Sequence, residues 1–242
     1  MPTPAKLPVK VESVIRHTDS VKTFILQPLK PCPRFKPGQF LHFALETYDP
    51  GGFWPESRVF SIANSPTRRG SLRITFAVKG KFTRRMYEEV KAGDTRWVKL
   101  PYGSFFFPDE APEVVLVAGG TGITPFLSYL EHALDTGSKS RISLIYGVRS
   151  PEYFLFGPFL EECRRGLAGF RSRVFVEDGR PAGEGIEVTK GIISLDEMLK
   201  RPAGKAEALY FLSGPLAMIR GLRKILLEAG IAAEAIRVDE WE

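Results

Sequence analysis

Apolar runs in the first part of the chain are short, and glycine, proline and charged residues separate them. These runs are rich in β-branched and aromatic side chains, which fit the pleated surface of a strand. Strands are predicted over residues 9–15, 21–26, 40–45, 59–62, 72–78 and 97–100, and apolar positions at helical spacing predict one short helix over residues 83–90. The pattern predicts an antiparallel sheet that closes into a barrel or a sandwich.

The pattern changes after Pro112, where β-branched runs alternate with longer segments of helical spacing. Such alternation predicts a doubly wound sheet of parallel strands. Strands are predicted over residues 114–117, 142–148, 174–176, 209–211 and from 236 onward, and helices over residues 126–134, 159–165 and 219–229. The glycine-rich, acidic segment 177–190 is predicted to be an exposed loop. These changes predict a first domain of residues 1–108 and a second of residues 109–242.

The size and composition of the chain are those of an ordinary globular protein. Its 242 residues suit one large or two medium domains, and 43% hydrophobic and 26% charged residues are typical values. Apolar runs are far shorter than the roughly 20 residues that a membrane-spanning helix needs. Residues 1–10 are rich in proline and lysine and lack the apolar stretch of a secretory signal. The sequence therefore predicts a cytoplasmic protein that has no membrane segment.

The net charge of +6 and the pI near 9.3 are compatible with nucleic acid, anionic small ligands or an acidic protein as the partner. Basic residues occur as scattered pairs, such as Arg84-Arg85 and Arg164-Arg165, and do not form one basic tail or helix. This distribution weighs against nucleic acid.

Cys32 and Cys163 could in principle form a disulfide, but the lack of an export signal favours reduced thiols. Cys32 and Cys163 are too few to bind an iron–sulfur cluster, which usually takes four cysteine ligands. His17, His42 and His132 lie too far apart in sequence for a recognisable metal motif. We therefore expect reduced thiols and no metal, and any cluster must belong to a partner protein.

A glycine-rich turn over residues 119–125 stands between an apolar strand and an amphipathic helix. Glycine allows the backbone to approach a pyrophosphate, and the amides and dipole at a helix start favour an anion. Pro125 suits the first helical turn, where its missing N–H is not needed. The alternative is a tight turn without a ligand, and the position of the turn after a buried strand favours a nucleotide.

The first half offers a second candidate phosphate site. Arg58-Val59-Phe60-Ser61 lies in a predicted strand, and residues 76–83 lead from another strand into the short helix. An arginine on a strand or a threonine before a helix usually has a structural role. Together they supply a guanidinium, a hydroxyl and a helix N-terminus, which can bind a second phosphate-bearing cofactor.

These motifs, in this order, resemble those of the ferredoxin–NADP reductase family of flavoproteins over residues 36–241. Arg58-Val59-Phe60-Ser61 is similar to the Arg-x-Tyr-Ser flavin signature of the family, and residues 119–125 to its Gly-Gly-x-Gly-Ile-Thr-Pro loop. The other matching segments are Lys36-Pro37-Gly38-Gln39-Phe40, Pro101-Tyr102-Gly103-Ser104-Phe105, Tyr146-Gly147-Val148-Arg149 and Ser213-Gly214-Pro215. The resemblance implies a flavin-binding antiparallel barrel followed by a nucleotide-binding domain with a doubly wound parallel sheet.

The resemblance also implies roles for particular residues. Arg58 would bind the FAD pyrophosphate, Phe60 would pack on the isoalloxazine or ribityl face, and Ser61 would lie near flavin N5. Residues expected to bind FAD are Arg58, Val59, Phe60, Ser61, Ala77, Val78, Lys79, Gly80, Lys81, Phe82 and Thr83. Those expected to bind the nicotinamide coenzyme are Gly120, Thr121, Gly122, Thr124, Arg149, Ser213, Gly214 and Pro215. Ser61, Ser213 and Trp241 are the expected catalytic residues.

Two positions depart from the family pattern. Phe60 replaces the usual tyrosine, so the aromatic ring remains but a hydroxyl contact is lost. Ser213 replaces the usual cysteine beside the nicotinamide, which changes the size and polarisability of the side chain. We expect hydride transfer that is slower or differently tuned.

Coenzyme choice and access to the flavin depend on other side chains. Arg149 matches a family position that can contact the 2′-phosphate of NADPH, whereas Glu177 and Asp178 would repel that phosphate. We favour NADPH over NADH on this basis. Trp241 is interpreted as a lid on the flavin, by analogy with the C-terminal aromatic of related reductases; the alternative is a surface anchor for the chain end.

The resemblance implies an FAD-dependent NADPH or NADH oxidoreductase that serves a ferredoxin, a flavodoxin or the iron–sulfur component of an oxygenase. The positive net charge agrees with an acidic redox-carrier protein as partner. Alternatives are a reductase of free flavins or ferric chelates and a non-enzymatic flavin subunit that relays electrons. The intact glycine loop favours an enzyme over the relay.

Overall fold

The computed structural model describes residues 3–108, 113–179, 187–194 and 208–239. Contacts between residues divide the chain into two compact units, Met1–Phe107 with Leu127–His132, and Pro108–Phe126 with Ala133–Glu242. None of the helices in the described ranges is long and apolar enough to cross a membrane.

Six antiparallel strands form the sheet of the first unit, in the order β4-β3-β6-β1-β2-β5. They are β1 (Ala5–Arg16), β2 (Val21–Pro28), β3 (Phe40–Ala44), β4 (Ser57–Ser61), β5 (Leu72–Ala77) and β6 (Thr95–Tyr102). The two outermost strands also meet, because the Ala63 amide after β4 donates a hydrogen bond to the Arg73 carbonyl in β5 at 2.8 Å. The sheet therefore closes into a near-barrel, which confirms the predicted antiparallel fold.

Alternation of side chains along the strands builds the core of this unit. Leu7 and Val9 of β1 and Leu100 of β6 are buried, whereas Lys6 and Lys99 lie on the outer face. Helix α1 (Lys81–Glu89) adds Phe82 and Met86 to the same core. Burial of each large apolar side chain stabilises the fold by about 1.5–3 kcal/mol. This alternation of apolar and polar residues, with a period of two, is visible in the sequence, which is why the strands could be predicted.

A polar cluster within the first unit holds the segment that follows β4. Oε2 of Glu131 accepts hydrogen bonds from the Arg73 guanidinium at 3.0 Å and from the Ser65 amide at 2.7 Å. The Ser128 hydroxyl donates to the Asn64 carbonyl oxygen at 2.7 Å. Burial lowers the pKa of Arg73, and Glu131 opposes that shift. The hydrogen bonds to the Ser65 amide and the Asn64 carbonyl oxygen hold the backbone that follows Ser61. Removal of either Arg73 or Glu131 would leave the other charge poorly solvated.

The sheet of the second unit is parallel, with the order β10-β9-β8-β7-β11-β12. The strands and α-helices that follow along the chain in the described ranges are β7 (Glu113–Gly119), α2 (Thr124–Thr136), β8 (Arg141–Val148), α3 (Gly157–Gly166), β9 (Phe170–Val176), β10 (Glu187–Lys190), β11 (Ala208–Ser213), α4 (Leu216–Glu228) and β12 (Ile236–Asp239). The middle of α2, Leu127–His132, belongs to the first unit. The order reverses at β7, with later strands added on both sides. The predicted doubly wound sheet is confirmed, and ligands of such sheets bind at the carboxyl ends beside the reversal.

Two local predictions differ from the structure. The loop prediction for residues 177–190 is wrong at its end, because Glu187–Lys190 forms the edge strand β10, paired in parallel with β9. An edge strand is half-exposed and lacks a continuous apolar run, so its sequence resembles a loop. Helix α1 begins at Lys81, earlier than the predicted start at Thr83. Gly80 occupies the N-cap, and Thr83 lies inside the first turn.

Candidate functional site

In the first unit, Arg58 and Phe60 lie on one face of β4, and Val59 and Ser61 lie on the other. The Arg58 guanidinium is 5.0 Å from the centroid of the Phe82 ring, a cation–π arrangement that connects β4 with the start of α1. The guanidinium also pairs with Glu56 at 2.8 Å, and both side chains of this pair are more than half exposed. Such an exposed pair is weak, about 0–1 kcal/mol, so an incoming phosphate can displace the carboxylate.

Phe60 and Ser61 have different surroundings. The Phe60 ring packs against Phe76 of the barrel core, with 5.9 Å between ring centroids, and stays half-buried. Ser61 is paired with Phe40 of β3 and is also half-buried. The end of β4 therefore offers an aromatic surface and a hydroxyl group on opposite faces of one strand.

The segment from Ala77 to Thr83 forms a turn and the first turn of α1. The Thr83 hydroxyl accepts hydrogen bonds from the amides of Lys79 and Gly80, at 2.9 and 3.1 Å, so it shapes the turn. The first intrahelical bond runs from the Arg84 amide to the Gly80 carbonyl. The amides of Lys81, Phe82 and Thr83 precede that bond, and the first turn has no acidic residue. These amides can bind a phosphate.

In the second unit, the glycine loop packs against the end of β11. A Cβ atom at Gly122 would lie 2.4 Å from the Ser213 carbonyl oxygen and 2.5 Å from Gly214, and one at Gly214 would lie 2.9 Å from the Gly119 amide nitrogen. These glycines allow two backbones to touch. Gly120, in contrast, has a φ of +53° and open space around its missing side chain. Room for a ligand therefore lies at Gly120, while Gly122 and Gly214 are required for packing.

The remaining loop residues start α2. Thr124 is buried, and its hydroxyl donates a hydrogen bond to the Thr121 carbonyl oxygen at 2.9 Å. Pro125 lies in the first turn of the helix, as the sequence predicts. Thr121 is half-buried in the short 3₁₀ turn that follows β7, and Pro215 directly precedes α4.

The sequence analysis named Ser213 but not its hydrogen-bond partner, Asp239. The Ser213 hydroxyl donates a hydrogen bond to Oδ2 of Asp239 at 3.2 Å, and both side chains are buried. The two residues are directly paired at the carboxyl ends of β11 and β12. A carboxylate at the end of the last predicted strand was the signal that could have identified Asp239, since parallel strands end at the same edge.

The residues proposed to select the coenzyme lie at the ends of β8 and β9. The Asp178 amide donates to the Arg149 carbonyl oxygen at 2.9 Å, and the Glu177 amide donates to the Val148 carbonyl oxygen at 3.1 Å. Arg149, Glu177 and Asp178 are all exposed. Residues of opposite charge are therefore neighbours along the backbone at this edge of the sheet. Trp241, the expected lid, lies outside the described residues.

Comparison with known proteins agrees with the geometry of both units. Residues 116–224 match the family described as the oxidoreductase NAD-binding domain. The flavohemoprotein of Rhizobium meliloti is 27% identical over 235 residues, which cover 92% of this chain and 57% of the relative. The reductase component of propane 2-monooxygenase from Rhodococcus jostii is 28% identical over 241 residues, covering 96% and 62%. The chain thus spans about three fifths of the length of these relatives.

A solved structure extends the likeness to the whole chain. The ferredoxin NADP+ reductase of Neisseria gonorrhoeae, with bound FAD and NADP, has a TM-score of 0.78 and 21% identity. The match covers 99% of both chains. At this level of identity the likeness establishes the fold alone.

Proposed function

Because the chain belongs to the ferredoxin–NADP reductase-like family of FAD- and NAD(P)-binding oxidoreductases, we propose that it transfers hydride from NADPH or NADH to FAD and passes the electrons to a separate acceptor. The observation that carries the proposal is the contact of the Gly119–Gly122 backbone with Ser213 and Gly214 at the reversal of the parallel sheet. This is where doubly wound sheets bind nucleotides.

We assign FAD to the first unit, residues 1–108 in the predicted division. The Arg58 guanidinium and the amides at Lys81, Phe82 and Thr83 supply charge and hydrogen-bond donors for its pyrophosphate. The backbone of Ala77, Val78 and Lys79 would contact the pyrimidine edge of the flavin. Phe60 and Val59 would pack around the flavin, and Ser61 would donate a hydrogen bond near N5.

We assign the nicotinamide coenzyme to the second unit, residues 109–242. Gly120, Thr121, Gly122 and Thr124 would bind its pyrophosphate, because the loop leads directly into α2. Ser213, Gly214 and Pro215 would contact the nicotinamide. Arg149 would contact the 2′-phosphate, so we keep NADPH as the preferred coenzyme.

The chemistry of the reaction comes from the cofactors. Bound FAD supplies the conversion between a two-electron hydride and single electrons. The part of the protein would be to bind the two cofactor rings and to exclude water from them. The buried Asp239 carboxylate orients the Ser213 hydroxyl, and this orientation would fix the position of the nicotinamide.

We propose Trp241 as a lid on the flavin, as an extension of the same function. A stacked indole would occupy the place that the nicotinamide needs, so each ligand would bind at the expense of the other. Trp241→Ala should tighten NADPH binding and raise flavin fluorescence. Unchanged coenzyme affinity and fluorescence would leave only the surface-anchor interpretation.

An acidic redox protein is the proposed acceptor. The relative from Rhodococcus jostii is named as the reductase component of a monooxygenase, which supports a ferredoxin, a flavodoxin or an oxygenase component as acceptor here. Reduction of free flavins or ferric chelates is the alternative enzyme activity. The intact glycine loop weighs against a relay subunit that does not use a nicotinamide. The cytoplasmic location stays a prediction.

The acceptor class is tested by turnover of the purified, FAD-loaded chain with NADPH and with NADH. Three acceptors are compared: an acidic [2Fe–2S] ferredoxin, free FMN and ferric citrate. We expect the highest kcat/KM with the ferredoxin and NADPH. Faster reduction of FMN or ferric citrate would support the alternative enzyme, and no turnover with either coenzyme would support the relay.

A further inference from the structure

The outer face of the near-barrel carries a set of aromatic and cationic side chains to which we have assigned no cofactor contact. We call this set the aromatic–lysine patch. Its members are the exposed Lys6 and Phe53, the half-buried Trp54, Trp97 and Lys99, and the buried Tyr48, on which Lys6, Trp54 and Trp97 pack.

The rings of the patch pack on one another. Tyr48 is in contact with Trp54 and with Trp97, each at 5.3 Å between ring centroids. The Lys6 ammonium lies 4.5 Å from the centroid of the Tyr48 ring and donates a hydrogen bond to the Tyr48 hydroxyl at 2.8 Å. The Trp54 indole donates to the Ser57 hydroxyl at 3.0 Å. These contacts order the surface before any partner binds, which lowers the entropy cost of binding.

Phe53 projects from this surface with 99% of its area exposed. It directly follows a turn in which the Gly51 amide donates to Oδ1 of Asp49 and the Gly52 amide donates to the Asp49 carbonyl oxygen, both at 2.9 Å. A fully exposed phenylalanine beside a fixed turn gains no burial within its own chain. Aromatic residues of this kind are enriched at the energetically dominant positions of protein interfaces.

The patch carries two positive charges, those of Lys6 and Lys99. Lys6 and Lys99 are direct cross-strand partners on β1 and β6, an arrangement in which like charges repel. Neither ammonium forms an ion pair with a carboxylate in the part of the chain that the structure describes. Burial and the neighbouring Lys99 lower the pKa of His42 on the adjacent strand. The positive charge of these two lysines favours an acidic partner.

The patch adjoins the strand that carries the proposed flavin contacts. Lys99 lies 5.1 Å from the centroid of the Tyr102 ring, and Tyr102 stacks on Phe40 at 5.7 Å. Phe40 is the cross-strand partner of Ser61. A protein bound to the patch would therefore cover the sheet beside β4.

We propose that the aromatic–lysine patch binds the acidic electron-carrier protein, with Phe53 inserted into an apolar pocket of the carrier and Lys6 and Lys99 opposite its carboxylates. The proposal rests on the proposed function, because it names the surface that binds the acceptor. A second copy of this chain is disfavoured as the occupant, since its net charge of +6 would repel the patch.

The test is binding of an acidic [2Fe–2S] ferredoxin to the FAD-loaded chain, measured by calorimetry at low and at high salt. Phe53→Ser should weaken binding at least tenfold, and Lys6→Glu combined with Lys99→Glu should weaken it further and flatten the salt dependence. Lys224→Glu is the matched control, because Lys224 is an exposed lysine on α4. The control should bind ferredoxin within about twofold of the wild-type chain.

Three results would overturn the proposal: wild-type affinity in the patch variants, no measurable ferredoxin binding, or a wild-type dimer that Phe53→Ser dissociates. Reduction of the flavin by NADPH is measured on the same samples. Normal flavin reduction together with unchanged ferredoxin binding in the patch variants would reject this docking surface and leave the proposed oxidoreductase function intact. Absence of flavin reduction in the wild-type chain would instead reject the proposed function.

Discussion

Ser213 and Asp239 form a buried hydrogen bond of 3.2 Å between the carboxyl ends of adjacent parallel strands. Ser213 stands where the resemblance places a cysteine, and a hydroxyl is a stronger hydrogen-bond donor than a thiol. The carboxylate therefore fixes the direction of a small polar group beside the proposed nicotinamide site. Because its single proton is donated to Asp239, the Ser213 hydroxyl offers the proposed nicotinamide site a positioned acceptor.

Ser213→Ala should lower the rate of flavin reduction by NADPH about tenfold, equal to about 1.4 kcal/mol. The reason is that the hydroxyl is lost and Asp239 keeps a buried carboxylate with one donor fewer. Stopped-flow absorbance measures the rate. Ser172→Ala, a half-buried serine of β9, should leave it unchanged. A Ser213→Ala rate equal to that of the wild-type chain would remove Ser213 from the site.

Arg58→Ala should weaken FAD binding about ten- to hundredfold, because loss of a charge-assisted phosphate contact costs on the order of 1.5–3 kcal/mol. The apoprotein is titrated with FAD, and quenching of flavin fluorescence reports binding. Arg85→Ala is the control, since Arg85 lies on α1 and pairs with Glu46 and Glu89. Equal losses of FAD affinity in both variants would mean that any loss of positive charge weakens FAD binding, and not the loss of a specific phosphate contact.

Gly122→Ala and Gly120→Ala should separate the packing role of the loop from its binding role. The methyl group at residue 122 meets backbone at 2.4–2.5 Å and should lower Tm markedly. At residue 120 the methyl group enters open space, so the left-handed backbone costs only about 1–2 kcal/mol. Coenzyme affinity should nevertheless fall, because the proposed ligand needs that space. Calorimetric Tm and NADPH titration measure the two effects, and the reverse order of Tm losses would contradict this division.

Periodicity in the sequence predicted the fold well because both sheets follow simple patterns. A continuous apolar run, Val114–Val117, marked the strand β7, which is buried on both faces. In β1, by contrast, buried and more exposed side chains alternate. The edge strand β10 was missed because its residues are exposed or half-buried and form no continuous apolar run. Thr83 was placed at the helix start, although its hydroxyl folds back onto the Lys79 and Gly80 amides.

Contacts distant in sequence could not be predicted from local patterns. Glu131 reads as an ordinary polar position of α2, yet its carboxylate pairs with Arg73 and with the Ser65 amide. The glycine loop was visible in the sequence as a candidate site. The different roles of its glycines could not be predicted, because the requirement for glycine at residue 122 comes from contact with Gly214, far along the chain.

Arg149→Ala should reduce the ratio of kcat/KM for NADPH to that for NADH about tenfold, because a phosphate contact worth about 1.4 kcal/mol is lost. The activity with NADH should stay within about twofold. Arg171→Ala, an exposed arginine of β9, serves as the charge-matched control. Steady-state kinetics with both coenzymes measure the ratio, and an unchanged ratio in Arg149→Ala would mean that Arg149 does not select the coenzyme.

Anaerobic mixing of the FAD-loaded chain with NADPH, followed by absorbance at the flavin maximum, tests the central claim most directly. The measurement needs no acceptor, so it isolates the transfer of hydride between the two proposed cofactors. We predict that the flavin band bleaches in proportion to the NADPH added, and more slowly with NADH. A flavin that stays oxidised with both coenzymes, in a folded chain that retains FAD, would contradict the account.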